Sequence, residues 1–253
     1  MIAKDDLGNP GSHPVGTPNQ TASDSGSEKR KMLGEISYTL SRDPLSVQFL
    51  WSWFWSLLPG HSPLNDQLPW MNFRVIRWLD AYLRPDMTVF EYGPGGSTIF
   101  MARRVRRVVS IEHDPLWYDR VQHFLAEERI TNCDVRLVLA KKQPSVAAIP
   151  YGPSSYTSQT PHARGLNFEA YVRSIDEHPD HSFDLVIVDG YARFSCVAHA
   201  VRKVRPGGYL LFDDTDWKKY REAVAYLDGH PRTDFVGVTP FQLNLRQTTI
   251  WRL

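Results

Sequence analysis

From residue 86 onward, short apolar runs alternate with stretches in which apolar residues recur at helical spacing. The runs predict buried strands, because strands covered on both faces need no polar residues at alternate positions. The predicted strands are 88–92, 107–112, 134–140, 183–189 and 209–213, with a closing hairpin of 235–238 and 248–252. The predicted helices are 97–105, 115–129, 166–178, 194–204 and 216–228. This alternation predicts a doubly wound α/β sheet, because right-handed crossovers place helices on both of its faces.

The first 85 residues have a different pattern. Residues 1–31 are rich in Gly, Pro, Ser, Thr and Asn, which predicts a disordered tail because such a segment buries little apolar surface. Helical patterns at about 32–41, 44–58 and 70–83 then predict an N-terminal helical cap over 32–85. The apolar segment 44–58 is too short to span a bilayer, so we interpret it as a buried helix. Contact with a membrane surface and a homodimer seam are the alternatives for this segment.

Residues 141–164 contain four prolines, at 144, 150, 153 and 161, and are predicted to form a long loop within the domain 86–253. Loops of this length in compact domains are usually functional lids or disordered segments. We expect this one to be a lid that becomes more ordered when ligands bind.

Composition excludes several classes of protein. The 29 basic and 28 acidic residues leave a formal charge of +1, whereas nucleic-acid binding proteins usually carry a basic excess, so no nucleic-acid partner is expected. Cys133 and Cys196 are far apart and lack CxxC spacing, which argues against a disulfide framework or a zinc ribbon. A cytoplasmic location is therefore expected.

A glycine-rich turn follows the first predicted strand. The sequence Glu91-Tyr-Gly-Pro-Gly-Gly-Ser97 lets the backbone turn sharply and approach a ligand closely. In doubly wound sheets, ligands bind at the carboxyl ends of the strands, where the strand order reverses. A tight strand-to-helix turn without a ligand is the simpler alternative, so the interpretation needs a second signal.

Glu112 supplies that signal at the end of the second strand, 19 residues after Gly93. A carboxylate in this position can accept hydrogen bonds from both ribose hydroxyls of a nucleoside. A dinucleotide site would also require a glycine at position 98, where this chain has Thr98. Together these features favour a nucleoside ligand that lacks a pyrophosphate.

Four segments resemble, in order, the signature motifs of the class I methyltransferases: VFEYGPGGST, VVSIEHD, FDLVIVDG and VRPGGYLLFDD. They are most similar to the branch that contains the catechol-type and caffeoyl-coenzyme A-type O-methyltransferases. The resemblance covers about 86–252. It implies a Rossmann-like sheet of seven strands in the order 3-2-1-4-5-7-6, with the last strand antiparallel, and S-adenosylmethionine as the cofactor.

The resemblance also implies roles for individual residues. Glu112 would hold the ribose, whereas His113 and the segment around Ala140 would lie beside the adenine. The residues expected around the methionine part of the cofactor are Glu91, Gly93, Gly95, Gly96 and Ser97, with Asp189 at the end of the fourth strand.

The catechol-type branch also implies a divalent metal held after the fourth and fifth strands, where this chain has Asp189, Asp213 and Asp214. An oxygen-only set of ligands suits Mg²⁺ or a similar cation, and such a metal would lower the pKa of an acceptor hydroxyl. The alternative is that these acids cap the helices that follow them.

One departure concerns the catalytic lysine that the catechol-type enzymes place three residues after the fourth-strand acid. This chain has Ala192 there, followed by Arg193. Either Arg193 positions an anionic substrate or the base lies elsewhere, and Asp189, Arg193 and Asp214 are the candidate catalytic residues.

The sequence thus predicts methyl transfer to a small molecule, with oxygen as the favoured acceptor atom. The alternatives are metal-independent methylation of nitrogen, a sugar or a macromolecule, and a catalytically silent module that only binds the nucleoside.

Overall fold

The structure is a computed structural model that describes residues 44–143 and 151–253, together with Gly34, Ser37 and Ser41. These three isolated positions are helical, within the helix predicted at 32–41. The predicted tail 1–31 and residues 144–150 of the predicted lid lie outside the described residues.

Seven of the described strands form one sheet, and two short ones form a separate pair. In chain order the strands are β1 (Thr88–Tyr92), β2 (Arg107–Glu112), β3 (Cys133–Leu137), β4 (Lys141–Lys142), β5 (Leu166–Asn167), β6 (Phe183–Val188), β7 (Val204–Phe212), β8 (Arg232–Val238) and β9 (Leu245–Arg252). The large sheet has the order β3-β2-β1-β6-β7-β9-β8. The pairs among β1, β2, β3, β6 and β7 are parallel, whereas β9 runs antiparallel to both of its neighbours. This is the predicted order 3-2-1-4-5-7-6 with an antiparallel last strand, so the fold prediction is confirmed.

Helices cover both faces of the sheet. They are α1 (Leu50–Ser56), α2 (Phe73–Tyr82), α3 (Gly96–Ala102), α4 (Pro115–Glu127), α5 (Glu169–Arg173), α6 (Arg193–Ala200) and α7 (Arg221–Ala225). Short 3-10 helices occur at Pro44–Phe49, Pro161–Ala163, Ser174–Glu177, Val201–Lys203 and Lys218–Tyr220. No helix in the described part of the chain is long and apolar enough to cross a membrane.

The two faces of the sheet belong to separate apolar clusters. Alternate residues of β1 point in opposite directions, so Phe90 and Tyr92 join one cluster and Val89 joins the other. In β6, all six residues are buried, which is the expected result for a central parallel strand. Burial on both faces explains why the central strands appear in the sequence as unbroken apolar runs.

Several predicted boundaries differ from the structure. The strand predicted at 134–140 ends at Leu137, and the helix predicted at 216–228 is a 3-10 turn followed by the five residues of α7. The closing hairpin is longer than predicted, since β8 already begins at Arg232. Arg232, Thr233 and Asp234 are exposed, because backbone pairing with β9 holds this edge strand without side-chain burial.

The predicted loop 141–164 has partial structure of its own. Its ends are joined by β4 and β5, with Lys141 opposite Asn167 and Lys142 opposite Leu166. This pairing moves the start of the next helix from the predicted residue 166 to Glu169.

The segment 44–58 is only in part the buried helix that we predicted. It begins as a 3-10 helix and continues as α1, in which Trp53 is fully buried. Trp51 and Trp55 are 78% and 55% exposed, so the buried-helix interpretation is wrong for these two side chains. A run of apolar residues can give a helix more apolar surface than one neighbouring sheet can cover.

Candidate active site

The turn after β1 is shaped by close contact between backbone segments. Gly93 has a φ of +89°, a conformation that side chains other than glycine rarely adopt. A Cβ on Gly93 would lie 3.0 Å from the backbone N and Cα of Gly190, which follows β6. On Gly96, a Cβ would lie 2.1 Å from the carbonyl oxygen of Pro63 and 2.2 Å from that of Leu68. The turn is therefore packed between the end of β6 and the loop that precedes α2.

The side chain of Glu91 stabilises this turn through hydrogen bonds. It is fully buried, and its carboxylate accepts hydrogen bonds from the hydroxyls of Ser97, of Thr98 at 2.6 Å and of Ser110 at 2.8 Å. Burial raises the pKa of Glu91 to about 7, although the three hydroxyl bonds act in the opposite direction. These bonds tie the start of α3 to β1 and β2.

Glu112 lies at the end of β2, directly beside the turn. The backbone N–H of Gly93 donates to the carbonyl oxygen of Ile111 at 3.0 Å, which sets the turn next to this strand end. The backbone N–H groups of His113 and Asp114 donate to Oε1 of Glu112 at 2.6 and 2.8 Å. Nδ1 of His113 lies 2.8 Å from the same oxygen, and these contacts together fix the direction of the carboxylate.

His113 belongs to an aromatic cluster at the same edge of the sheet. Its ring lies 4.2 Å from that of Tyr191 and 5.5 Å from that of Phe168, measured between centroids. The rings of Phe168 and Tyr191 are stacked at 5.3 Å. Ala140 packs against the same apolar cluster as Phe168. The residues that the resemblance assigned to the adenine therefore lie among flat apolar surfaces.

The three aspartates predicted to form a metal site do converge. Asp189, Asp213 and Asp214 follow β6 and β7, and each offers one carboxylate oxygen within 4.8 Å of the other two. Asp213 is buried, and the hydroxyl of Thr248 on β9 donates to its Oδ1. Parallel neighbouring strands end at one edge of the sheet, which explains why acids far apart in the sequence meet there.

Arg193 lies among these three acids. Its Nε donates to the carbonyl oxygen of Gly190 at 2.9 Å, and its Nη2 donates to that of Asp189 at 2.9 Å. Nη1 donates to the carbonyl oxygen of Asp213 at 2.8 Å and to Oδ2 of Asp214 at 3.3 Å. Nη2 also pairs with Oδ1 of Asp189 at 3.0 Å. Four hydrogen bonds and this ion pair thus involve all three nitrogens of the guanidinium.

The backbone is strained on both sides of this cluster. Ala192 and Asp214 have φ values of +48° and +58°, in the left-handed region that residues other than glycine rarely adopt. Ala192 directly precedes Arg193, the first residue of α6, and Asp214 is itself one of the three acids of the cluster. Such strain persists where the surrounding contacts compensate for it, and it is frequent at functional sites.

Two arginines offset most of the negative charge at the cluster. Arg246 on β9 lies 3.5 Å from Oδ1 of Asp214, measured from Nε. Burial raises the pKa of Asp189 to about 7, with Arg193 acting against the shift and Asp214 adding to it. Burial and the neighbouring acids also raise the pKa of Asp213 well above its usual value. Burial disfavours the charged guanidinium of Arg193, but Tyr220 and the carboxylates hold its pKa above the usual range.

In the described structure these acids do not cap the helices that follow them. Ala192 and Trp217 are the residues at the N-terminal boundaries of α6 and of the 3-10 helix Lys218–Tyr220, and neither boundary has a side-chain cap. The carboxylates of Asp189 and Asp214 pair with arginines instead. The alternative interpretation of the acids as helix caps is therefore wrong.

Three residues of this site were missed in the sequence. Arg246 and Thr248 lie on β9, in a strand that the apolar pattern predicted too short. Lys219 lies two residues after Trp217. Its Nζ is 4.0 Å from the centroid of the Trp217 ring and 4.8 Å from that of the Tyr220 ring. Burial, followed by the charge of Arg193, lowers the pKa of Lys219 to about 8. A lysine between two aromatic residues was the available signal for this contact.

The strand order, with the glycine turn and Glu112 at neighbouring strand ends, gives the chain the fold of the class I methyltransferases. Several solved structures of similar fold carry the name of a methyltransferase. One is a protein of Streptococcus mutans assigned as a methyltransferase and solved in complex with SAH, with 12% identity over 70% of this chain and 94% of that one and a TM-score of 0.46. Another is the precorrin-6y C5,15-methyltransferase of Geobacter metallireducens, with 14% identity over 71% and 88% and a TM-score of 0.48.

A methyltransferase-like protein of Silicibacter pomeroyi is 25% identical over 65% of this chain and 78% of that one, with a TM-score of 0.42. No family model matches the chain, and no curated protein matches it. At these levels of similarity, the acceptor and the chemistry have to be argued from the site itself.

Proposed function

We propose that this protein is an S-adenosylmethionine-dependent methyltransferase that acts on a small molecule, with an oxygen atom as the acceptor. The observation that carries the proposal is the placement of the Gly93 turn directly beside Glu112 at the carboxyl edge of the sheet. A nucleoside needs hydrogen-bond acceptors for its ribose hydroxyls and a flat apolar surface for its base. Glu112 and the rings around His113 have that chemistry, so the residues fit this cofactor.

The protein's own residues would act mainly by binding and alignment. The bound sulfonium supplies an already activated methyl group, so the acceptor atom has to be held in line with it and water excluded. In this proposal, Gly93, Gly95, Gly96 and Ser97 shape the turn against the cofactor while Glu91 holds the turn in place. The described part of the predicted lid packs on α6, where the backbone N–H of Tyr156 donates to the hydroxyl of Ser195.

The assignment to the catechol-type branch, with Mg²⁺ or a similar cation held by Asp189, Asp213 and Asp214, is a finer proposal. The convergence of three carboxylates supports it. The contacts of Arg193 oppose it, because its guanidinium already pairs with two of these carboxylates and donates four hydrogen bonds within the protein. We therefore place Asp189, Arg193 and Asp214 at the acceptor side of the site without assigning a proton transfer to any of them.

Methylation of nitrogen, a sugar or a macromolecule is the second enzymatic candidate, and a silent nucleoside-binding module is the candidate of another class. Mass spectrometry of the methyl-labelled products formed in a cell extract would identify the acceptor, and so would test the second enzymatic candidate. Formation of S-adenosylhomocysteine with any acceptor would exclude the silent module.

Calorimetry tests the cofactor assignment directly. The protein should bind S-adenosylmethionine and S-adenosylhomocysteine but not NAD. Glu112→Ala should weaken binding by about 1.5–3 kcal/mol, the size of hydrogen bonds to a charged group. Glu127→Ala, on the exposed side of α4, is the matched control and should bind as the wild type does. Tight binding of NAD with no heat from either sulfur nucleoside would contradict the proposal.

A further inference from the structure

We propose that Arg193 is a resident cation that takes the place of a divalent metal in the three-aspartate cluster. The site's reaction would then need no divalent cation. This inference rests on the proposed function only for its consequence for turnover, since the occupancy of the cluster can be measured without cofactor or acceptor.

The first argument is geometric. A metal bound by Asp189, Asp213 and Asp214 would need one oxygen from each, and these oxygens lie within 4.8 Å of one another. The guanidinium of Arg193 already contacts Oδ1 of Asp189 at 3.0 Å and Oδ2 of Asp214 at 3.3 Å. A divalent cation bound at Oδ1 of Asp189 and Oδ2 of Asp214 would have to displace the guanidinium.

Backbone carbonyl oxygens make most of the contacts that hold the guanidinium in place. Three of its five contacts are to backbone carbonyl oxygens, of Asp189, Gly190 and Asp213, at 2.8–2.9 Å. These carbonyls belong to the two strand ends that also carry the acids, so Arg193 joins the ends of β6 and β7. Its side chain is 11% exposed, and removing it from this place would leave buried acceptors without donors. A planar fork of donors suits such a set of acceptors, which the single ammonium of a lysine cannot match.

The third argument concerns charge. With all groups ionised, three carboxylates face the positive charges of Arg193 and Arg246, which leaves a net charge of about −1. Thr248 also occupies Oδ1 of Asp213. A divalent ion added to this set would change its net charge from about −1 to about +1, so the two arginines already supply most of the positive charge that the carboxylates need.

Binding of Mn²⁺ tests the proposal, because the electron paramagnetic resonance signal of the free ion falls when the ion binds to protein. The chelator-treated wild type should leave the signal of free Mn²⁺ unchanged, and its Tm should not respond to Mn²⁺ or Mg²⁺. Arg193→Met removes the resident cation and retains an apolar side chain of similar length. This variant should have a lower Tm, should bind about one Mn²⁺ per chain, and should recover Tm when Mn²⁺ is added.

Two controls locate the effect. Arg193→Met combined with Asp213→Asn should lose the Mn²⁺ binding, because one ligand is then neutral. Arg246→Met removes the other arginine that contacts Asp214 but leaves Arg193 in place, so it should bind no Mn²⁺.

Binding of one Mn²⁺ by the wild type, lost in Asp213→Asn, would overturn the proposal. So would an Arg193→Met variant that Mn²⁺ neither binds nor stabilises, whether or not that variant folds without metal. Calorimetry with S-adenosylhomocysteine on the same wild-type sample separates these results from a failure of the proposed function.

Discussion

Two groups of acidic side chains lie at the same edge of the sheet, and they are stabilised in different ways. Glu91, at the end of β1, is fully buried and its described partners are three hydroxyls. Asp189 and Asp214, after β6 and β7, are partly exposed and pair with arginines. The partners of Glu91 are uncharged, whereas the acids beside α6 form a network of opposite charges.

The difference indicates what each region can do. A buried carboxyl without a cationic partner favours its protonated form, and burial accordingly raises the pKa of Glu91 to about 7 despite the opposing effect of the hydroxyl donors. Such a group suits a rigid support for a turn. A cluster of carboxylates around a guanidinium keeps fixed charges near the crevice, where they can orient a polar acceptor. Glu91 thus supports the turn, whereas the aspartates and arginines keep fixed charges at the same edge of the sheet.

The largest effect on this comparison is expected from Gly96→Ala. The new Cβ would lie 2.1–2.2 Å from two backbone carbonyl oxygens, so the loop before α2 or the start of α3 would have to move. We expect a loss of more than about 3 kcal/mol in the free energy of unfolding, at the upper end of overpacking costs. Urea denaturation measures it.

Gly95→Ala is the matched control for that substitution. Its Cβ would meet only the Trp117 ring, at 3.8 Å, which is an ordinary contact. Equal stability of the two variants would show that the turn is not packed between the two carbonyls, and the structural role assigned to this side would fail.

A smaller, pH-dependent effect is expected from Glu91→Gln. The pKa of Glu91 is about 7 in the folded state and 4.5 in its ordinary environment, so the folded protein holds the proton more tightly. The stability that this proton contributes is fully present below pH 4.5 and is lost as the pH rises through 7. Because glutamine does not ionise, the variant should gain about 3 kcal/mol relative to the wild type between pH 4.5 and pH 8.

Thermal unfolding of both proteins across this pH range measures the change. The glutamine carries no charge at any pH in the series, so the difference between the two proteins reports the ionisation of Glu91. A difference in Tm that stays constant with pH would mean that Glu91 is ionised in the fold and that the two acidic regions are alike.

The smallest effect is expected from Thr248→Val, on the aspartate side. The hydroxyl of Thr248 donates to Asp213 and accepts from Nδ2 of Asn72 at 3.1 Å. Its loss should cost about 1–2 kcal/mol in the free energy of unfolding, as for other buried polar groups that lose a partner. Thr233→Val, exposed on β8, is the control and should change stability little. A neutral result for Thr248→Val would mean that Arg193 alone stabilises Asp213.

Much of the fold could be predicted from the sequence because the central strands are buried on both faces. Runs such as 183–188 contain only apolar residues apart from Asp184, and the structure has β6 there. The edge strand β8 was predicted too short, since its exposed residues carry no apolar signal. The exposure of Trp51 and Trp55 was also unpredictable, because it depends on how much surface the neighbouring elements cover.

The apolar pattern places Gly93 directly after a predicted strand, and Glu112, Asp189 and Asp213 at the last residues of predicted strands. Because parallel strands end at one edge of a sheet, these residues and Asp214 were expected to meet there. The side chains from other elements that contact the three aspartates could be identified only from the tertiary structure. Arg246 and Thr248 reach the cluster because β9 is inserted antiparallel between β7 and β8, with Thr249 opposite Phe212. The register of such a pairing depends on contacts across the whole sheet, so local patterns in the sequence do not predict it.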